Sequence, residues 1–284
     1  MLLFKRVEAL QAYLHKKRKQ GLQIGFAPTM GALHQGHASL IKKAKAENDL
    51  SVCSIFVNPT QFNDPKDLEK YPRTEGPDIK LLNNLGNNII FYPTVEAVYP
   101  KNLTIPTFDF GQVDKVMEGK FRPGHFDGVV EVVYRLIDIV QPHRLYMGQK
   151  DFQQFTLIQH MLAKMQSSTK LVVCPIIRES DGLALSSRNV RLTATNREKA
   201  PIIAKVLHQL KDWLASGQSV KEVTERAIQQ LSEVPDFRPE YLEIVDGHTL
   251  LPIASMEDTN YVVVCTAVWA GAIRLIDNVI LKQS

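Results

Sequence analysis

The sequence predicts an α/β protein: a doubly wound parallel sheet followed by a smaller α+β domain. Three observations lead there. Short apolar runs alternate with helical patterns up to about residue 177. The run 51–57 is almost continuously apolar, as in strands buried on both faces of a parallel sheet, and 171–177 is a further apolar run. Beyond residue 178 helices come first and strands follow, the order of a separate α+β domain. With 284 residues, 44% hydrophobic and 23% charged, the chain can bury a sizeable core. Disorder, collagen and a disulfide-held miniprotein are excluded.

The elements follow in order. Val7, Leu10 and Leu14 fall at helical spacing before Gly21, so 4–19 reads as a helix with Lys16, Lys17, Arg18 and Lys19 on a solvated face. A strand at 22–27, a turn-rich stretch at 28–36, a helix at 37–47 and a strand at 51–57 come next. The polar segment 58–74 carries three prolines and reads as a long loop. A helix at 77–85 stops at Gly86; strands are expected at 88–92 and 104–110. Val129, Val130, Val133, Leu136, Ile137 and Val140 trace one face of a helix over 126–140. A strand at 144–147 precedes Asp151 and Gln154, spaced as a capping box, and 171–177 is the last strand of the sheet. The second domain has helices at 195–215 and 219–232, then strands at 241–245, 260–266 and 273–279 with hairpin-like spacing. The boundary is placed between 176 and 177.

Charge and cysteine content narrow the class. A net charge of +4 is mild and by itself points to a solvated surface rather than a nucleic-acid partner, since clustering and not total charge marks such sites. Cys53, Cys174 and Cys265 each sit in an apolar run and read as buried thiols of a reduced protein. The N-terminal M-L-L-F-K-R-V-E has no apolar signal core, and no stretch reaches membrane-span length. A cytoplasmic protein with no membrane partner is expected.

Five stretches could carry chemistry. The first is P-T-M-G-A-L-H-Q-G-H at 28–37, after a strand and before a helix, where open α/β sheets bind ligands. Its glycines and the helix start suit a phosphate, with His34 and His37 as added donors; a plain turn or a metal pair also fits. It is not a P-loop. The second is the apolar strand running into Asn58 and Gln61, whose amides could hold a carboxylate or simply end the strand. The third, G-Q-K-D at 148–151, could place Lys150 on phosphate and Asp151 on a ribose, or cap a helix. The fourth is D-G-L-A-L-S-S-R-N at 181–189, where hydroxyls and a guanidinium suit a triphosphate, though a linker would have similar composition. The fifth, G-K-F-R-P-G-H-F-D-G at 119–128, reads as an anion-binding lid or a helix start.

Taken together, P-T-M-G-A-L-H-Q-G-H, F-V-N-P-T-Q-F, Y-P-R-T, F-R-P-G-H-F-D-G-V, G-Q-K-D-F-Q-Q and D-G-L-A-L-S-S-R-N, in this order over most of 22–191, resemble the pantothenate synthetase (pantoate–β-alanine ligase) family. The resemblance implies a Rossmann-like nucleotidyltransferase domain over 1–176 that binds nucleotide and pantoate, and a smaller lid domain over 177–284. His34-Gln35-Gly36-His37 matches the superfamily's H-x-G-H signature, and Leu185-Ser186-Ser187-Arg188 takes the place of K-M-S-K-S. It further implies a two-step reaction through a pantoyl adenylate, with ATP, pantoate and β-alanine as substrates, magnesium beside ATP, and a homodimer.

By the family's pattern Met30, Gly31, Ala32, Leu33, His34, Gln35, Gly36 and His37 meet ATP, with His37 as proton donor and His34 on the phosphates. Gln61 holds pantoate and stands near β-alanine; Gln154 also holds pantoate. Gly148, Gln149, Lys150 and Asp151 meet the nucleotide, Ile177 touches adenine, and Leu185, Ser186, Ser187 and Arg188 close over the triphosphate. Lys150 and Arg188 join the two histidines as catalytic groups. The family commonly has Glu where Gln149 stands and Met where Leu185 stands.

Other readings separate from this one by simple observations. Another nucleotidyltransferase, such as a cytidylyltransferase, has no need of the paired amides Gln61 and Gln154. An aminoacyl-tRNA synthetase would need an anticodon-binding domain. A non-catalytic RNA-binding module would bind RNA with a steep salt dependence.

Overall fold

The computed structural model describes residues 1–62 and 65–284. The strands are β1 Leu2–Phe4, β2 Ile24–Thr29, β3 Leu50–Ile55, β4 Ile89–Phe91, β5 Arg144–Gly148, β6 Lys170–Cys174, β7 Phe237–Asp246, β8 Tyr261–Ala270 and β9 Ile273–Gln283. The helices are α1 Val7–Lys19, α2 Gln35–Glu47, α3 Pro65–Lys70, α4 Glu75–Asn84, α5 Val95–Val98, α6 Met117–Phe121, α7 His125–Val140, α8 Phe152–Lys164, α9 Ala194–Lys199, α10 Ile202–Ala215 and α11 Val220–Ser232. By their contacts they form two compact units. The first is Met1–Phe110, Arg122–Gly148 and Gln154–Pro175; the second is Gly111–Phe121, Gln149–Gln153 and Ile176–Ser284.

The first unit is a six-stranded parallel sheet in the order β1-β4-β3-β2-β5-β6. Apart from the edge strand β1, this is a doubly wound sheet that reverses direction between β2 and β5. Ligands of such sheets lie beyond the carboxyl ends of the strands at that reversal, which makes Thr29 and Gly148 the ends to watch. Alternate strand residues face opposite ways. Ala27, Cys53, Ile90 and Tyr146 pack with Leu40, Ile41 and Ala44 of α2 and Leu82 of α4. Phe26, Val52, Ile89 and Leu145 are equally buried, so both faces are covered. Helix α7, apolar on most of its surface, packs on α1 and against β2.

The second unit carries the antiparallel sheet β7-β8-β9. Leu207, Leu210, Val223, Ala227 and Leu231 of α10 and α11 pack against Leu242, Ile244, Val264 and Val268. Gly271, at φ 61°, supplies the positive φ of the two-residue turn joining β8 to β9.

Several expected elements differ. The chain opens with β1, so the first helix starts at Val7 rather than residue 4; three residues are too short a run to show a period. No strand forms over 104–110. Pro106 cannot donate to a ladder, and Phe108 packs on Phe110 and Tyr134 instead. The loop expected over 58–74 contains a 3₁₀ turn, Pro59–Gln61, and α3, which starts on a proline; its residues 63 and 64 lie outside the described residues. Strand β6 ends at Cys174 because Pro175 follows, and Pro201 splits the helix expected over 195–215 into α9 and α10. The three cysteines are free and buried.

Candidate active site

The first group of expected site residues lies at the carboxyl end of β2. Thr29 Oγ1 donates to the Ser54 carbonyl (2.6 Å) and accepts from the Gly31 N–H (3.3 Å). Gly31 has φ 80°, and Ala32, at φ 49°, occupies the left-handed region that L-residues avoid. The Ala32 and Leu33 amides donate to the two oxygens of Asp78, at 2.9 and 2.8 Å. The segment 28–36, expected as a turn, in fact starts α2 at Gln35, with His34 as its N-cap. His34 Nδ1 accepts the Gly36 N–H (3.1 Å), and His37 Nδ1 accepts the His34 N–H (3.3 Å). A neutral imidazole whose Nδ1 accepts carries its proton on Nε2. The two rings, 4.2 Å apart between centroids, are therefore both set as Nε2–H donors.

This accounting changes what the loop offers. The amides of Gly31, Ala32, Leu33, His34 and Gly36 are all engaged within the protein. The loop is not a cradle of free N–H groups like a P-loop; its donors are imidazoles. The glycine of H-x-G-H is explained by space, since a Cβ on Gly36 would lie 2.8 Å from His34 Cε1.

Gln61 is oriented as strictly. Asn58 is buried; its Nδ2 donates to the Gly128 carbonyl (3.0 Å) and to Gln61 Oε1 (3.2 Å). Its Oδ1 accepts from the hydroxyls of Tyr99 (3.0 Å) and Thr60 (3.2 Å). Burial pushes the Tyr99 phenol up to about 12, so it stays a donor. With Oε1 of Gln61 taken, its amide NH₂ is the group left to meet a ligand, and a donor suits a carboxylate. His125 Nδ1 donates to the Gln61 carbonyl at 2.7 Å, the opposite tautomer from His34 and His37. Gly128 allows the approach, because a Cβ there would come within 2.5 Å of the Thr60 backbone. Gly148 ends β5, and Gln154 is half-buried on α8.

In the second unit lie Gln149, Lys150, Asp151, Ile177 and the segment 185–188. Residues 177–185 form a hairpin: Leu185 N–H donates to the Ile177 carbonyl (3.0 Å), and Gly182 takes φ 95° at the turn. Arg197 braces it through Glu179 (2.6 Å) and Asp181 (2.5 Å), while Arg178 makes a two-toothed pair with buried Asp277 (2.7 and 2.9 Å). Asn189 Nδ2 donates to Glu179 and to the Ala184 carbonyl, both at 3.1 Å. That folds Ser186-Ser187-Arg188 back on the hairpin, and Ser186 Oγ accepts the Arg188 N–H (3.2 Å).

Lys150 and Ser186 share a small cavity with Asn189 and Asp277. Asp277 is committed to Arg178, and among the described residues no carboxylate pairs with the half-buried Lys150 ammonium. Its position is held from behind: Asn278 Nδ2 donates to the Gln149 and Lys150 carbonyls, both at 3.0 Å. Gln149 Nε2 donates to Asn278 Oδ1 (3.1 Å); a carboxylate at 149 could not make that bond. Gln153 is structural, holding 113–118 through the Val113 and Val116 carbonyls and the Glu118 N–H.

Among the described residues no group of three or more His, Cys, Asp or Glu side chains is arranged to hold a metal. No helix is long and apolar enough to cross a membrane among the described residues.

The family model for pantoate–β-alanine ligase matches residues 2–280. The chain belongs to the pantoate–β-alanine ligase family. It is 48% identical over 283 residues to a pantothenate synthetase of Bacteroides thetaiotaomicron, with both chains covered in full. Against a pantothenate synthetase of Porphyromonas gingivalis it is 48% identical over 279 residues, 98% of this chain and 99% of the relative. The crystal structure of a Thermus thermophilus pantothenate synthetase superposes with a TM-score of 0.93 at 39% identity, covering 99% of this chain and 100% of that one. A pantoate–β-alanine ligase from Francisella tularensis, complexed with β-γ ATP and β-alanine, has a TM-score of 0.81 at 36% identity, covering 100% and 99%. As a pantoate–β-alanine ligase this chain is a carbon–nitrogen ligase of pantothenate biosynthesis. Asp78, Asn58, His125, Asn189 and Asn278 were not singled out for the roles that they play. Asn58 and Asn189 stand inside motifs the family shares, whereas Asp78 and Asn278 carry no local signal.

Proposed function

We propose that the ligase works through an acyl adenylate. The carboxylate of pantoate attacks the α-phosphorus of ATP, forming pantoyl adenylate and expelling pyrophosphate. The amine of β-alanine then attacks the acyl carbon, forms the amide and expels AMP. No protein nucleophile is required, so catalysis consists of positioning and charge stabilisation. The observation that carries this reading is the orientation of His34 and His37 at the carboxyl end of β2: each Nδ1 accepts a backbone N–H, which places the ring proton of each on Nε2. Such donors match phosphate oxygens on which negative charge grows.

The remaining roles follow from chemistry. His37, the family's proton-donor position, donates its Nε2–H as a hydrogen bond to phosphate oxygens, and His34 steadies the phosphates. Residues 30–37 meet the nucleotide by side chains, carbonyls and Cα groups, because most of their amides are spent. The Gln61 NH₂ binds the pantoate carboxylate and lies near β-alanine, with Gln154 as a second pantoate ligand. Lys150 and Arg188 neutralise phosphate, Ser186 and Ser187 donate to it, Asp151 takes a ribose hydroxyl, and Ile177 packs on adenine. Gly148, Gln149 and Leu185 complete the nucleotide contacts. Residues 1–176 bind nucleotide and pantoate, and 177–284 act as a lid. The Francisella relative, crystallised with an ATP ligand and β-alanine, supports this substrate set. The family's habit makes it a cytoplasmic homodimer.

Pyrophosphate exchange tests the reading. Labelled pyrophosphate should enter ATP with pantoate present and β-alanine absent, and AMP should accumulate only once β-alanine is added. Exchange that requires β-alanine, or release of ADP, would overturn it.

A further inference from the structure

We propose that Asp78 is a positioning residue for catalysis: its buried carboxylate takes the amides of Ala32 and Leu33 and so fixes the loop that presents His34 and His37 as Nε2–H donors. The proposal rests on the adenylation reading for the use of those donors, and on geometry alone for the clamp.

Asp78 stands in the first turn of α4 and is 3% exposed. Its Oδ2 accepts from Ala32 N–H and its Oδ1 from Leu33 N–H, with Thr74 Oγ1 donating to Oδ1 at 3.1 Å. Among the described residues no cation pairs with it. Burying a carboxylate is costly unless every lone pair is used. If the position served only to dock α4 on the sheet, an apolar side chain would do so at lower cost. A carboxylate is needed because two consecutive N–H groups converge on it.

The loop at this point needs holding. Ala32 lies at φ 49°, a conformation a non-glycine residue keeps only when its surroundings impose it. Asp78 imposes it from one side, and Gly31 lets the carboxylate approach, since a Cβ there would lie 3.1 Å from Asp78 Oδ2. Leu33, the last clamped residue, precedes His34. The His34 backbone amide then sets the His37 ring, and the His34 ring caps Gly36. The path from Asp78 to the two imidazoles is thus three residues of backbone.

Asp78→Asn tests this, because it keeps the shape but leaves one oxygen for two donors. In the wild type, ¹⁵N–¹H spectra of the imidazoles should show Nδ1 of His34 and His37 unprotonated and Nε2 protonated. In Asp78→Asn both signals should move toward averaged tautomers, and kcat should fall by about tenfold or more, the scale of one charge-assisted bond, with KM for β-alanine within about twofold. Unchanged imidazole signals would overturn the proposal, whatever happens to activity. Thr74→Val removes only the third bond. It should shift the same signals less and lower kcat a few-fold; if Asp78→Asn does not fold, the wild-type spectrum decides, and a proton on Nδ1 of His34 or His37 overturns the proposal. The spectra need no substrate, so failure of the clamp is distinguishable from failure of the adenylate reading.

Discussion

The two groups of site residues are held by different means. His34 and His37 are neutral donors, positioned by bonds that reach no more than three residues along the chain and by one distant carboxylate, Asp78. Lys150 and the 185–188 segment are the charged and hydroxyl groups, and their supports come from far along the sequence: Asn278 behind Lys150, Asp277 behind Arg178, Arg197 behind Asp181. The first group is a local device that a short motif can specify. The second is assembled by the fold of its unit, and its motif says little about how it is held.

Lys150 should give the largest effect. Lys150→Met keeps the length and removes the charge, and kcat should fall by about 10² to 10³, the cost of losing one donor from a charge-stabilising site. Steady-state kinetics with saturating pantoate check this, and a loss under fivefold would take Lys150 out of the chemistry. Gly36→Ala should come next. Its methyl collides with the His34 ring, so kcat should fall by about tenfold or more while the melting temperature moves by about 2 °C or less, since the backbone at 36 needs no positive φ. Wild-type kcat would mean that the ring position is not critical.

The smallest effect concerns pH and sharpens the contrast in how the units are held. His143 Nδ1 accepts the Ile24 N–H at 2.9 Å, and burial holds its pKa below the ordinary histidine value. The stability it lends is present above that ordinary value and is lost as pH falls through the lowered one. In the second unit, the hydrogen bond from Arg197 holds Asp181 below its usual range. That contribution is present above the ordinary carboxylate value and is lost only in more acidic solution. Between pH 7.5 and 5.5 the wild-type melting temperature should therefore fall by about 2 °C more than that of His143→Gln. Equal slopes would show that His143 is not linked to folding.

Much of this was legible in the sequence, for physical reasons. The apolar face of α7 and the apolar β3 show their periods plainly, because burial enforces them over many residues. Strand β1 is too short to show one, and 104–110, expected as a strand, forms none because Pro106 cannot join a ladder. At the site, the order of motifs brought out His34, His37, Gln61 and Lys150. Asp78 did not emerge, since an acidic residue in a first helical turn ordinarily reads as solvated; its burial is set by the meeting of α4 with the β2–α2 loop. Asn278 lies among alternating strand residues and acquires its role only because β9 passes behind residue 150.

Transfer of oxygen from pantoate to AMP tests the central claim most directly. With both carboxylate oxygens of pantoate labelled with ¹⁸O, turnover in the presence of ATP and β-alanine should yield AMP carrying one ¹⁸O and pantothenate retaining the other. Unlabelled AMP would contradict an acyl adenylate and with it the roles assigned to His34 and His37.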